Sequence, residues 1–387
     1  MQTIINHPMV NWVDGMKVRQ EDFTTMENAL LERVQRTAAS ILNEHNYGLL
    51  GMRSLPEKNL HLQFKTDPHC CVLQLYTCQA ITAAGMLIQF PLVTTEGRVI
   101  SDSLVFHWQT PKQDGVWYVI IHTDYYQRIP AGDPVPDVLP CRTKYTMDRL
   151  LLSMVATQDI PVEGLLPGQL TIGRVVVKNH MAEVDQGYIP PCISIGAHPL
   201  LMVIGEEVMV LLRQVRCSCQ EIIEKIYSRN QQQEMAAIIL YLAEHVGQVL
   251  SWSLPFYQDK VGQDSPFHLF TLAKTTGGVW LSALEQRASG SREEILQYFA
   301  EWSGVPAGEI ETKCYDLVVA TYHHVDMQTA FHSALSFLRI MQRVFAAIGK
   351  LEYIGKKPDG NIFVKEEGLG QPPIATGTRK SKWSFSE

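Results

Sequence analysis

The sequence predicts an α+β chain in which an N-terminal antiparallel β-sandwich shell is followed by a helical bundle. Two changes of texture carry that reading. Short β-type runs broken by Pro, Gly and Asp fill residues 46–204, and after Gly205 apolar residues recur every three or four positions. Strands do not alternate with helices, so antiparallel pairing is expected rather than βαβ crossovers. At 387 residues the chain exceeds one ordinary domain. It divides into an arm and first helix (1–45), the shell (46–204), the bundle (205–349) and a flexible tail (350–387).

The arm comes first, with Pro8 and Gly15 discouraging helix. A helix is expected from about Gln20 to Glu44, because Phe23, Met26, Leu30, Val34, Ala38 and Ile41 recur on one face. Asn46-Tyr47-Gly48 stops it. In the shell, His61–Phe64 alternates, and Trp117–Tyr126 is rich in the aromatic and β-branched residues that suit a pleated surface. Ile129–Cys141 holds Pro130, Pro134, Pro136 and Pro140 and reads as an irregular surface loop. Leu170–Val184 reads as a hairpin turning near Lys178-Asn179-His180.

In the bundle, Val208, Leu211, Val215, Cys219, Ile222 and Ile226 alternate by three and four, the spacing of a helix packed along a seam. Periodicity leaves open whether Val208, Leu211, Val215, Ile222 and Ile226 meet their own chain or another copy. Met235 to Val249 continues the pattern. Shorter helices are expected over Pro266–Glu285 and Arg292–Trp302, and a long one over Met327–Ile348. The tail carries five glycines and three prolines, with one short strand expected at Asn361–Lys365.

Composition excludes several classes. Hydrophobic residues make up 46% and charged residues 19%, a globular balance. A net charge of −7 is wrong for a protein that coats nucleic acid, which needs surplus Lys and Arg. The N-terminus shows no secretory signal and no run is apolar enough to span a bilayer, Met235–Leu250 being interrupted by Glu244 and His245. A cytoplasmic location with reduced thiols is therefore expected, any membrane contact being made through a partner.

Catalytic motifs are missing from the sequence. Neither Gly349-Lys350 nor Gly355-Lys356 completes a phosphate loop, and no Gly-x-Gly-x-x-Gly or Gly-x-Ser-x-Gly occurs. His323, His324, Asp326 and His332 form the densest group of metal-ligand types, although only His323 and Asp326 have helical chelate spacing. Surface and helix-cap roles near the start of the last helix account for them better. Cys217 and Cys219 diverge on a helix and cannot chelate together. No enzyme activity, cofactor or metal is expected.

Three stretches carry a family resemblance. Val10-Asn11-Trp12-Val13-Asp14-Gly15-Met16 leads to Gln20-Glu21-Asp22-Phe23, and Asn46-Tyr47-Gly48-Leu49 follows. Ile172-Gly173-Arg174 runs through Asp185 to Tyr188-Ile189-Pro190-Pro191-Cys192. Ser265-Pro266-Phe267-His268-Leu269-Phe270 precedes Thr276-Gly277-Gly278. In this order they resemble the TssK family of type VI secretion baseplate subunits, with an N-terminal motif closest to divergent Bacteroidetes-type systems. The resemblance implies a homotrimer with a shell akin to the shoulder of siphophage receptor-binding proteins and a helical neck. It also implies attachment to the TssF–TssG wedge and a link to the trans-envelope complex at the inner membrane, without catalysis or cofactor. Typical members carry a further head where this chain has its tail, so the membrane link is the less supported half. A phage-type receptor-binding or tail adaptor protein built on a related shell is the alternative.

On that reading, Trp12, Met16 and Phe23 either staple the arm to the first helix or face a partner. Tyr188, Pro190 and Pro191 shape the exit from the shell or touch a partner. In the tail, Arg379, Lys380 and Lys382 precede Trp383 and Phe385, a basic-aromatic segment suited to ordering on a partner.

Overall fold

The computed structural model describes residues 6–51, 59–67, 70–93, 103–136, 139–160, 164–258, 262–287 and 290–355. The expected strand at Asn361–Lys365 and the residues Trp383 and Phe385 lie outside the described residues. The chain is α+β with antiparallel sheets.

Helix α1 spans Gln20–Ala39. The Asp22 carboxylate accepts from the Arg19 N–H at 2.8 Å, and Glu21 and Asp22 oppose the positive end of the helix dipole. The helix stops before the expected Glu44. Asn46 accepts from the Asn43 N–H at 2.6 Å and donates to Ile41 O at 3.2 Å, so side-chain partners replace the helical ladder there.

Strands β1 (Gly48–Leu49), β2 (Leu60–Asp67), β3 (Cys70–Ile81), β4 (Leu87–Phe90) and β5 (Leu104–Gln109) form one sheet around β3. Strands β6 (Gly115–Pro134), β7 (Thr143–Ala156), β8 (Gln169–Lys178) and β9 (Met181–Val184) form the other, in the order β7-β6-β8-β9. β2 lies beside β9 and β5 beside β7. Asn179 and His180, at φ 50° and 64°, make the two-residue turn between β8 and β9 whose twist suits a hairpin.

One expectation is corrected here. β6 continues to Pro134, through much of the segment read as a loop, with Pro130 opposite Thr146 and Pro134 opposite Thr143. β8 pairs with β6 only as far as His122. Among the described residues the distal half of β6 therefore has one unpaired edge, where a proline breaks no ladder.

The helices are α2 (Pro199–Ser228), α3 (Glu234–Gln258), α4 (Pro266–Arg287), α5 (Arg292–Ser303), α6 (Ala307–Val319) and α7 (Met327–Lys350). α2 begins six residues before Gly205, with Pro199 at its first turn, where a missing N–H costs nothing. It packs on α3 and α7, and α7 also meets α4, α5 and α6. Val208, Leu211, Val215, Ile222 and Ile226 are all buried within the single chain, so their seam is internal. α3 is long and apolar enough to cross a membrane by length and composition. Its Ala236, Ile239, Leu242, Ala243, Val246 and Leu250 are instead buried, and α2 and α4 are the helices packed on it.

Sheets and helices share one apolar core, running from Leu75 and Ile121 through Leu49 and Cys192 to Leu212 and Phe331. The step Tyr188–Cys192 joins the two halves. Leu49 N–H donates to Pro191 O at 2.8 Å and Ile193 N–H donates to Leu49 O at 3.0 Å. Gly48 makes this approach possible: at φ 111°, any Cβ there would sit 2.0 Å from Pro191 O. Gly48→Ala is expected to cost more than about 3 kcal/mol or to prevent folding, measured by urea denaturation. Gly278→Ala, in α4 with open space around it, is expected to leave stability unchanged or raise it by about 0.5–1 kcal/mol.

Candidate protein-docking site

The joint between sheets and helices is polar at one place. Tyr322 and His324 lie just before α7 and are buried. His324 Nε2 lies 2.8 Å from Tyr47 O, and Nδ1 lies 2.9 Å from Tyr322 Oη. A carbonyl can only accept, so Nε2 carries the proton and Nδ1 accepts from the tyrosine. Burial disfavours the charged ring and, with His45 nearby, pulls its pKa down to about 4 despite the bond to Tyr47.

Arg174 of β8 closes the same joint. It donates to Asp185 at 2.8 Å, to Asp326 at 3.2 Å and to Gln328 at 3.0 Å. Its guanidinium lies over the Tyr188 ring, 5.0 Å from the centroid. Tyr188 Oη donates to Val325 O at 3.1 Å and meets Thr171 Oγ1 at 3.0 Å. Tyr188, Pro190 and Pro191 are buried. As candidates for partner contact they are corrected: they shape the joint and present no surface.

The same geometry disposes of the metal-ligand group. Both nitrogens of His324 are taken, and Asp326 is held by Arg174 and Thr329. His323 and His332 are exposed. Among the described residues no three His, Cys, Asp or Glu side chains converge as a metal would require. Burial pushes the Cys71 thiol up to about 11 and those of Cys78, Cys219 and Cys314 up to about 12, far from a nucleophilic thiolate.

What the chain does offer is an apolar outer face. α1 rests on β6 through its buried Ala29 and Glu32 side, where Arg128 pairs with Glu27 and donates to Asn28 at 2.7 Å. Most of the face that the sequence groups as apolar points the other way, while Met26 and Ala38 of that face are half-buried. Phe23 is 52% exposed, Leu30 46%, Val34 64% and Ile41 74%. The arm adds exposed Met9, Trp12, Val13 and Val18, and Trp12 sits 6.2 Å from Phe23 between ring centroids. Met16, half-buried, closes the arm's turn by donating to Val13 O at 3.1 Å.

Glu32 holds this arm in place. Its carboxylate accepts from the Asn6 and His7 N–H groups at 3.2 and 2.7 Å and from Arg36. Burial raises its pKa, but these donors outweigh burial and hold the carboxyl below its ordinary value. His7 stacks on Tyr126 at 4.2 Å. Of the sequence candidates, Trp12 and Phe23 thus meet on one surface, and Met16 lies in the turn of the arm. Met9, Val13 and Val18 were not singled out, because an isolated apolar residue in an arm has no period. Trp252 and Phe256, exposed on α3, were also missed; their i, i+4 spacing off the buried stripe was the available signal.

The chain matches no protein-family model and no curated protein sequence. Its fold matches solved structures. A crystal structure of TssK is 16% identical over 87% of this chain and 72% of that chain, with a TM-score of 0.51. A chain of the baseplate complex from the type VI secretion system is 14% identical over 87% of this chain and all of that one (100%), with a TM-score of 0.50. The fold is TssK-like.

Two outcomes follow from the joint. Above pH 6.5 His324 is neutral in both folded and unfolded chains, and its contribution is complete. As pH falls from 6.5 to about 4 the unfolded chain takes up a proton that the folded chain refuses. Stability should therefore decline across that window, by on the order of 3 kcal/mol, and level off below it. His324→Gln should flatten that part of the slope in urea denaturation at pH 7, 5.5 and 4.5. Arg174→Met leaves Asp185 and Asp326 without their counter-charge and should cost about 2–4 kcal/mol, partly recovered by adding Asp326→Asn.

Proposed function

We propose that this chain is a non-catalytic structural adaptor of a type VI secretion baseplate, docking other baseplate proteins through its arm and α1. The observation that carries this is the exposed apolar face of Trp12, Phe23, Leu30, Val34 and Ile41 on a TssK-like fold. Fully burying a Val, Leu, Ile or Phe side chain is worth about 1.5–3 kcal/mol, so an uncovered row of them favours a protein partner.

In this reading the paired antiparallel sheets are the sandwich shell and α2–α7 the neck, with the boundary at Pro199, where α2 begins, rather than between 204 and 205. The TssF–TssG wedge is the partner of the arm, and the working form is a homotrimer without cofactor. The adaptor stands on the cytoplasmic side and reaches the inner-membrane trans-envelope complex through partners. A chain of similar fold sits in the type VI secretion baseplate complex, which supports the baseplate role.

The test is binding to purified TssF–TssG. Trp12→Ala with Phe23→Ala, both on the exposed face, should weaken capture by about 10- to 100-fold, equivalent to roughly 1.4–3 kcal/mol. Mass in solution should equal three chains. Undiminished wedge binding by the double variant, or a monomeric mass, would overturn the reading.

A further inference from the structure

A second surface lies on the helical part, along α3. Glu234, Ala237, Ile238, Tyr241 and Glu244 follow one face of α3 and, with Arg287 at the end of α4, line a groove of about 340 Å³. Ile238 is buried at its floor and Tyr241 is half-buried. The Tyr241 hydroxyl donates to Gln286 at 2.7 Å, and Arg287 lies over its ring at 4.6 Å. Glu244 is positioned by the Tyr227 hydroxyl at 2.8 Å. The groove is thus an apolar floor with an aromatic wall and a carboxylate at each end.

The last described residues reach this place. Ile354 is buried and its N–H donates to Gln231 at 2.9 Å; the Gly355 N–H donates to Tyr298 at 2.9 Å. A Cβ on Gly355 would stand 3.0 Å from the Ala236 nitrogen, beside Glu234. The chain then continues through residues 356–387, which hold Arg379, Lys380, Lys382, Trp383 and Phe385 with no acidic residue between Ile374 and Phe385. The stretch of chain from Gly355 to Trp383 is long enough to span on the order of 30 Å. Glu244 lies only about 12 Å along α3 from Ala236. Such tethering sets an effective concentration in the millimolar range, so even a weak contact is populated.

We propose that the basic-aromatic segment Arg379–Phe385 folds back into this groove in its own chain. Trp383 fills the apolar floor, and Arg379, Lys380 and Lys382 face Glu234 and Glu244. Arg287 lies over the Tyr241 ring, Glu234 is exposed and Glu244 is half-buried. Indole on an apolar and aromatic floor supplies the anchor, and the ion pairs at the rim set register. The segment is then masked until something that binds it more tightly competes for it.

Zero-length carbodiimide crosslinking of the full chain, read by mass spectrometry, tests this. Lys380 or Lys382 should join Glu234 or Glu244 in a product that runs as a single chain on a denaturing gel and is lost in 0.5 M salt. Tryptic cleavage at Arg379–Lys382 should be at least about ten-fold faster in Glu234→Gln/Glu244→Gln and in Trp383→Ala than in the native chain. Three results would overturn the proposal. One is absence of these crosslinks while the Lys313–Asp316 pair, 3.3 Å apart, does crosslink. Another is their appearance only in products of two chains, and the third is equal cleavage in all three proteins.

Discussion

The structure depends on one constraint: the buried polar groups of Tyr322–Gln328, where the sheets meet the helices, need partners inside a continuous apolar core. This stretch gives His324 to the Tyr47 carbonyl, the Val325 carbonyl to Tyr188, and Asp326 and Gln328 to Arg174. A buried donor or acceptor without a partner costs about 1–3 kcal/mol, so a shift of this stretch strands several at once. The two halves therefore behave as one body and not as beads on a linker. Apolar continuity through Leu49 and Cys192 reinforces this.

A rigid joint matters for a chain whose proposed docking surface lies elsewhere. α1 is fixed on β6 by Ala29, Glu32 and the Arg128 contacts, so its apolar row is held outward. The arm is tied more lightly, at its start by Glu32 and the His7–Tyr126 stack and near its end by Trp12 against Phe23. A surface built this way is pre-organised along the helix and adaptable along the arm. That combination limits the entropy lost on docking while leaving room for adjustment to a partner.

Burial sets the charge states of the interior titratable groups. His324 and the buried thiols are pushed towards their neutral forms by desolvation, and Arg174 is kept charged by two carboxylates. His324 and Arg174 lie in the interior joint, and the buried thiols of Cys71, Cys78, Cys219 and Cys314 are spread through β3, α2 and α6.

The order of elements and the heptad seam of α2 were legible because local periodicity reports which side chains share a face. The hairpin turn at Asn179-His180 and the helices near Pro266, Arg292 and Met327 were legible for the same reason. Helix α6 and the continuation of β6 through its prolines were not, because proline is judged by what lies beside it, and the lost β8 neighbour is a tertiary fact. The apolar face of α1 was written in the sequence, but its direction was not. Periodicity defines a stripe without saying which side meets the core, and only the packing of Ala29 and Glu32 on β6 turned Phe23, Leu30, Val34 and Ile41 outward. The Tyr188–Cys192 step was likewise visible as a rigid motif. Its burial was decided by Gly48 and the strand it brings against Pro191, a contact between residues far apart in the chain.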